Sequence, residues 1–194
     1  WTYEQFDGLV RRVAATLVAN GVEPGSPVHM ALANCPAFVA VWLAVIRLGA
    51  WVVTSDPIGG KAELRGHIGR TRPVVGICAS SRAGVYLSAC GPLRVIEVEE
   101  QDPDLRAFGG DQVYSWTTPA PTDRAAVMFT SPKNGVPKGA EITQANYAFA
   151  GRTMSAAADL DETDRQLVVL PLFHANAQYY SFASSLSAGA SVAL

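Results

Sequence analysis

The chain predicts an α/β fold, largely parallel sheets flanked by helices on both faces. Two observations carry this. Stretches with helical spacing alternate with short β-branched runs along the 194 residues. The runs "AWVVTSD" (50–56), "VVGICAS" (74–80) and "AAVMFTS" (125–131) are apolar without polar alternation, as strands covered on both faces must be. No internal repeat or low-complexity tract interrupts the pattern.

Each element has its own signal. Thr2 with Gln5 three residues on forms a capping-box pattern, and Phe6, Leu9, Val10, Val13 and Leu17 follow at helical spacing up to Asn20–Gly21. The turn "EPGSP" leads to a short strand, "VHMALAN" (28–34). Pro36 suits the first turn of a second helix over 37–48. Strand 50–56 ends at Asp56 and a turn over 57–60, where aspartate is favoured for local backbone bonding. A polar helix over 61–71, strand 74–80, a short helix near 84–89 and strand "LRVIEVE" (93–99) complete a first lobe, residues 1–100.

Residues 101–123 are rich in Pro, Asp and Gly with no sustained period, and read as a connecting segment. A second lobe then opens over 124–194: strand 125–131, a loop, a helix over 144–158, strand "RQLVVLPLF" (165–173), a helix near 177–187 and strand "ASVAL" (190–194). The chain starts at Trp1 and stops inside an apparent strand, which suggests a piece of something larger.

Composition narrows the function. A formal net charge of −2 with scattered lysines and arginines offers no footprint for nucleic acid. The longest apolar run, "FVAVWLAVI" (38–46), is too short to span a membrane and fits a buried helix. Cys35, Cys78 and Cys90 form neither a CxxC nor a Cys/His cluster. They read as small buried hydrophobes in a reducing, cytoplasmic setting, with no metal site. His29 and His67 read as structural or surface residues, and "EVEEQDPD" as a solvated acidic face. No GxGxxG follows any strand, which argues against a dehydrogenase.

The stretch "FTSPKNGVPKGAEIT" (129–143) carries the chemistry. Hydroxyls, glycines and lysines between a strand and a helix can aim several donors at one anion, helped by the helix dipole. It is not a Walker A loop, because Lys138 is followed by Gly139 and Ala140. Its Asn-Gly and Pro-Lys-Gly steps are also ordinary turn chemistry.

Four blocks in order resemble the adenylate-forming superfamily, which comprises acyl-CoA synthetases, luciferases and peptide-synthetase adenylation domains. They are the opening helix "TYEQF", "IRLGAWVVTSDP" (46–57), the 129–143 stretch and "LPLFHANAQ" (170–178). The blocks cover nearly the whole chain and imply the first part of that family's large N-terminal domain, with the rest of it and the C-terminal domain lying elsewhere. The family's phosphate loop reads Thr-Ser-Gly-Thr-Thr-Gly-x-Pro-Lys-Gly. Thr130, Ser131, Gly135, Pro137, Lys138 and Gly139 match it, whereas Pro132, Lys133 and Asn134 replace the Gly-Thr-Thr centre.

The resemblance implies an ATP- and Mg2+-dependent ligase that activates a carboxylic acid as acyl-AMP and passes it to coenzyme A or a carrier-protein phosphopantetheine. By the same resemblance, Thr130, Ser131, Lys133, Gly135, Lys138 and Gly139 hold phosphate, and His174 borders the reacting carboxylate. Asn176, Ala177 and Tyr180 line the acyl pocket. "PLFH" is similar to CoA ligases rather than to amino-acid-activating domains. The altered centre leaves a second class open, a catalytically impaired or truncated relative serving as a binding or structural module. Pro132 removes one N–H donor, and the missing threonines remove two hydroxyls. The isolated 194-residue chain is expected to be inactive.

Overall fold

The computed structural model describes residues 1–109, 116–130 and 138–194. The chain runs α1 (Tyr3–Ala19), β1 (Pro27–Ala31), α2 (Pro36–Arg47), β2 (Trp51–Thr54), α3 (Lys61–Thr71) and β3 (Val75–Ala79). After a 3₁₀ turn come α4 (Ala83–Cys90), β4 (Arg94–Val98), β5 (Arg124–Phe129), β6 (Gly139–Thr143) and α5 (Gln144–Ala157). Then follow β7 (Arg165–Leu167), a π-helical segment (Ala177–Ala183), α6 (Ser184–Ala188) and β8 (Ser191–Ala193).

Local chemistry sets many of these bounds. Thr2 accepts from the Gln5 amide while the Gln5 side chain accepts from the Thr2 amide, so the expected capping box starts α1. Pro36 opens α2, and Asp56 accepts from the Ile58 amide at 2.9 Å in the turn after β2. Thr143 and Asn146 form a second reciprocal cap at the start of α5.

Six strands form one sheet in the order β4-β3-β1-β2-β5-β6, parallel except for β6. Strands from both sides of 101–123 therefore share a sheet. A separate parallel pair joins β7 and β8. Alternate strand residues feed two layers. Val28, Met30, Val52, Val75, Ile77, Ala126 and Met128 pack with α1 and α2 in the main core. Ala31 and Cys78 pack with α3 and α4 on the opposite face, beside a small cluster of Trp51, Val53, Val127 and Phe129. Helices on both faces are what continuously apolar strands require. Cys35, Cys78 and Cys90 are buried free thiols, and burial pushes Cys35 up to about 11 and Cys78 to about 12. Among the described residues, no helix is long and apolar enough to cross a membrane.

Two elements depart from the sequence reading. Residues 139–143 are a strand rather than a lead-in to a helix, because they pair antiparallel with β5. The 165–173 strand stops at Leu167, after which side chains from elsewhere take over the backbone bonds.

α5 crosses the π segment closely. A Cβ on Gly151 would lie 2.8 Å from the Ala183 carbonyl oxygen. In an ordinary helix Gly→Ala gains roughly 1 kcal/mol of propensity. Here the contact with backbone outweighs it, and Gly151→Ala is expected to lose about 1–2 kcal/mol in urea denaturation of the full-length protein. A gain would show that the two helices separate freely.

Candidate active site

Ligands of parallel α/β sheets gather beyond the C-terminal ends of the strands. At that edge β2 and β5 are neighbours, with Thr54 in register with Met128, one residue short of Phe129. The Thr54 hydroxyl donates to the Phe173 carbonyl at 2.8 Å. One short strand end thus touches the "LPLFH" segment and pairs with the strand that leads into the glycine-bearing loop.

The loop joins β5 to β6 rather than to a helix. The expected contribution of a helix dipole is therefore lost, since five strand residues stand between the loop and α5. The loop's ends are held as a hairpin: the Thr130 amide donates to the Lys138 carbonyl at 2.9 Å. Thr130 and Lys138 are both exposed. Among the described residues Lys138 has no ion-pair partner, and the Thr130 hydroxyl donates to the Lys138 carbonyl at 3.4 Å. Gly139 does structural work. A Cβ there would come within 3.0 Å of Val127 Cγ1 and 3.3 Å of Phe129 Cε1. Ser131, Lys133 and Gly135, with the Pro132–Asn134 departure, lie outside the described residues.

The segment 168–174 is pinned from three directions. Asn34 Nδ2 donates to the Val168 and Leu170 carbonyls at 3.2 and 2.9 Å, and its Oδ1 accepts from the Leu172 amide at 2.7 Å. Thr54 holds the Phe173 carbonyl. Gln178, fully buried, donates to the Leu172 carbonyl at 2.6 Å and accepts from the Tyr147 hydroxyl at 2.5 Å. His174 emerges from this frame exposed, its ring 4.2 Å from that of Phe173.

Of the pocket candidates, Asn176 and Tyr180 are exposed, whereas Ala177 is fully buried in the main core. Gln178 and Tyr180 ride on the π segment. Such i→i+5 stretches are rare and recur at functional sites. Asn34, Thr54 and Gln178 were not singled out in the sequence. Asn34 and Thr54 are revealed only by backbone partners more than 100 residues away, and Gln178 by Leu172 nearby and Tyr147, 31 residues off.

Of the two alternatives for His29 and His67, structural or surface, burial makes both structural. His29 is fully buried, with Nδ1 2.6 Å from the Tyr86 hydroxyl and Nε2 2.9 Å from Ser55 Oγ. Ser55 Oγ lies 2.7 Å from His67 Nδ1. Burial, with a smaller contribution from His67, lowers His29 to about 3. Burial and then Arg70 lower His67 to about 4.

A cleft of about 970 Å³ lies between α1, the start of α2 and the β7–β8 pair. No predicted site residue lines it. Its two arginines are engaged: Arg47 pairs with Asp7 and stacks on Trp116, and Arg165 bonds Ser191. The described residues hold no group of three side chains that could bind a metal ion.

A family model described as AMP-binding enzyme matches residues 1–194. The chain belongs to this family. The AMP-binding match covers every block quoted above, and curated relatives agree with it. The oxalate–CoA ligase of Arabidopsis thaliana is 29% identical over 203 residues, covering 100% of this chain and 40% of that protein. The nonribosomal peptide synthetase 8 of Aspergillus fumigatus is 30% identical over 168 residues, covering 86% of this chain and 2% of that protein. The crystal structure of ATP-bound MatB from Rhodopseudomonas palustris superposes with a TM-score of 0.86 at 22% identity, over 98% of this chain and 39% of that one. That likeness shows a shared fold over nearly the whole chain. The chain spans about 40% of the CoA-ligase relative's length.

Proposed function

We propose that this AMP-binding chain is the front part of an ATP-dependent acid–thiol ligase of the acyl-CoA synthetase type. A carboxylate oxygen attacks the α-phosphorus of ATP, a C–O–P bond forms, and the bond to the departing pyrophosphate breaks. A thiolate then takes the acyl group and AMP leaves. Carboxylates are poor acyl donors because oxide is a poor leaving group. Adenylation replaces oxide with phosphate, and the protein supplies mostly position and charge.

In this reading the Lys138 ammonium and the Thr130 hydroxyl hold the phosphates, with Ser131, Lys133, Gly135 and Gly139 completing the loop. Mg2+ would enter with the triphosphate, bridging its oxygens. His174 faces the reacting carboxylate, with Asn176 and Tyr180 nearer the acyl group than the buried Ala177. The acceptor is a thiol, coenzyme A or a carrier-protein phosphopantetheine, and "PLFH" favours a CoA-ligase-like chain over an amino-acid-activating one. The buried free thiols suit a reducing cytoplasm.

The observation that carries this is Thr54. It bonds the Phe173 carbonyl while its own strand pairs with β5, so the His174 segment and the Thr130 hairpin meet at one sheet edge. ATP–pyrophosphate exchange by the full-length protein, run with a panel of carboxylic acids, tests the reading. Lys138→Ala is expected to cut exchange about 100-fold, comparable with removing one strong oxyanion donor. Equal rates would take Lys138 out of the site. The impaired-relative reading rests on Pro132–Lys133–Asn134. It would be upheld by an absence of exchange with every acid that is restored on writing Gly-Thr-Thr at 132–134.

A further inference from the structure

Four polar side chains form a single buried file: Tyr86 on α4, His29 on β1, Ser55 just past β2 and His67 on α3. All four are nearly inaccessible to water. Burying so many polar groups costs several kcal/mol unless each is bonded. Here one proton arrangement satisfies every link. The Tyr86 hydroxyl donates to His29 Nδ1, His29 Nε2–H donates to Ser55 Oγ, and the Ser55 hydroxyl donates to His67 Nδ1. Both imidazoles are neutral in this arrangement. The Tyr86 end is also tightly seated, since a Cβ on Gly76 would lie 2.5 Å from its hydroxyl.

The other end points at the loop. The His67 ring lies flat on Phe129, centroids 4.0 Å apart and planes within 4°. Phe129 is the last residue of β5, it pairs with Gly139, and Thr130 after it closes the hairpin onto Lys138. The Phe129 ring thus stacks on His67 and also lies against Gly139, where an added Cβ would come within 3.3 Å of it. Satisfied buried networks specify one geometry where an apolar contact would allow several.

We propose that Ser55 and His67 are positioning residues for the phosphate hairpin, fixing through Phe129 where Thr130 and Lys138 stand. This rests on the reading of that hairpin as the phosphate site. All four residues are buried, so they act on the hairpin through Phe129 rather than from the surface.

Three variants of the full-length protein test it. Ser55→Ala removes the bridging hydroxyl, His67→Phe keeps a flat ring but removes the acceptor, and Tyr86→Phe trims only the far end. Hydrogen exchange of the Thr130 amide is expected to accelerate at least tenfold in Ser55→Ala and His67→Phe, with β4 amides unchanged. The KM for ATP is expected to rise five- to tenfold while the KM for the acid stays the same. Tyr86→Phe, the mildest change, should show the same pattern at smaller size, and it decides with Ser55→Ala if His67→Phe does not fold. Unchanged exchange at Thr130, or ATP and acid KM values rising together, overturns the proposal. A wild-type protein without ATP–pyrophosphate exchange would count against the phosphate reading, and the Thr130 amide would still show whether the file holds the hairpin.

Discussion

Acidification from pH 7.5 to pH 5 is expected to destabilise the protein by about 4 kcal/mol, roughly 2 from each buried histidine. In the unfolded chain both imidazoles protonate near pH 6.5. In the folded chain His29 resists protonation down to about 3 and His67 to about 4, mainly because burial disfavours the charged ring. Above pH 6.5 both states are neutral and the network's full stability is present. As pH falls below 6.5 the unfolded chain takes up protons that the folded one refuses, and stability is lost until the folded values are reached.

Other groups act elsewhere or weakly. Asp7, Asp102 and Asp161 are held below the usual carboxylate range, so their contribution is lost only below about pH 4. Glu63, raised by burial and by Asp56, offsets a little of the loss near pH 5. Urea denaturation of the full-length protein across pH 5–7.5 checks this, and His67→Phe should roughly halve the slope. A flat profile would mean that the rings are protonated in the folded state.

The added proton also has a structural address. If His67 Nδ1 carried a hydrogen, it would face a Ser55 oxygen that already accepts from His29, leaving the serine hydrogen without its acceptor. In the folded protein that proton arrives only as pH nears about 4, so the hairpin should keep its order through the pH 6.5–5 range in which stability is lost.

That file shows where sequence reading stops. The parallel sheet was legible because Val28, Val52, Val75 and their neighbours form apolar runs that only two-sided burial explains. The capping box at Thr2 and Pro36 at the start of α2 were legible because cap chemistry is local. His29, by contrast, looked like an isolated polar residue in an apolar strand, because its partners lie 26 and 57 residues away. β6 was read as a lead-in to a helix because "GAEIT" becomes a strand only by pairing with β5. The π segment escaped for another reason: one extra residue per turn is invisible to a 3.6-residue period. For the candidate site, Thr130, Lys138, Gly139 and His174 were singled out through the quoted blocks. The side chains that hold their backbone were not.

Asn34 is the strongest of those missed supports, and Asn34→Ala is expected to cost about 3 kcal/mol. Its amide makes three bonds to 168–172, and its loss leaves the amide of the fully buried Leu172 without an acceptor. A buried unpaired N–H alone costs about 1–3 kcal/mol, and the freed carbonyl of buried Val168 adds to it. Asn34→Asp discriminates between space-filling and bonding. It keeps the acceptor for Leu172 but turns the donor into an anion facing two carbonyl oxygens, so it should be no better than alanine near pH 7. If the amide merely fills space, aspartate would instead restore most of the stability. The kinetic consequence should mirror that of Ser55 and His67. Asn34 frames the segment ending at His174, so its loss should raise the KM for the acid several-fold while leaving the KM for ATP unchanged. Thr54 bonds the next carbonyl along and belongs to the strand beside β5. Thr54→Val should therefore raise both KM values, which would identify it as the point where the two halves of the site are joined.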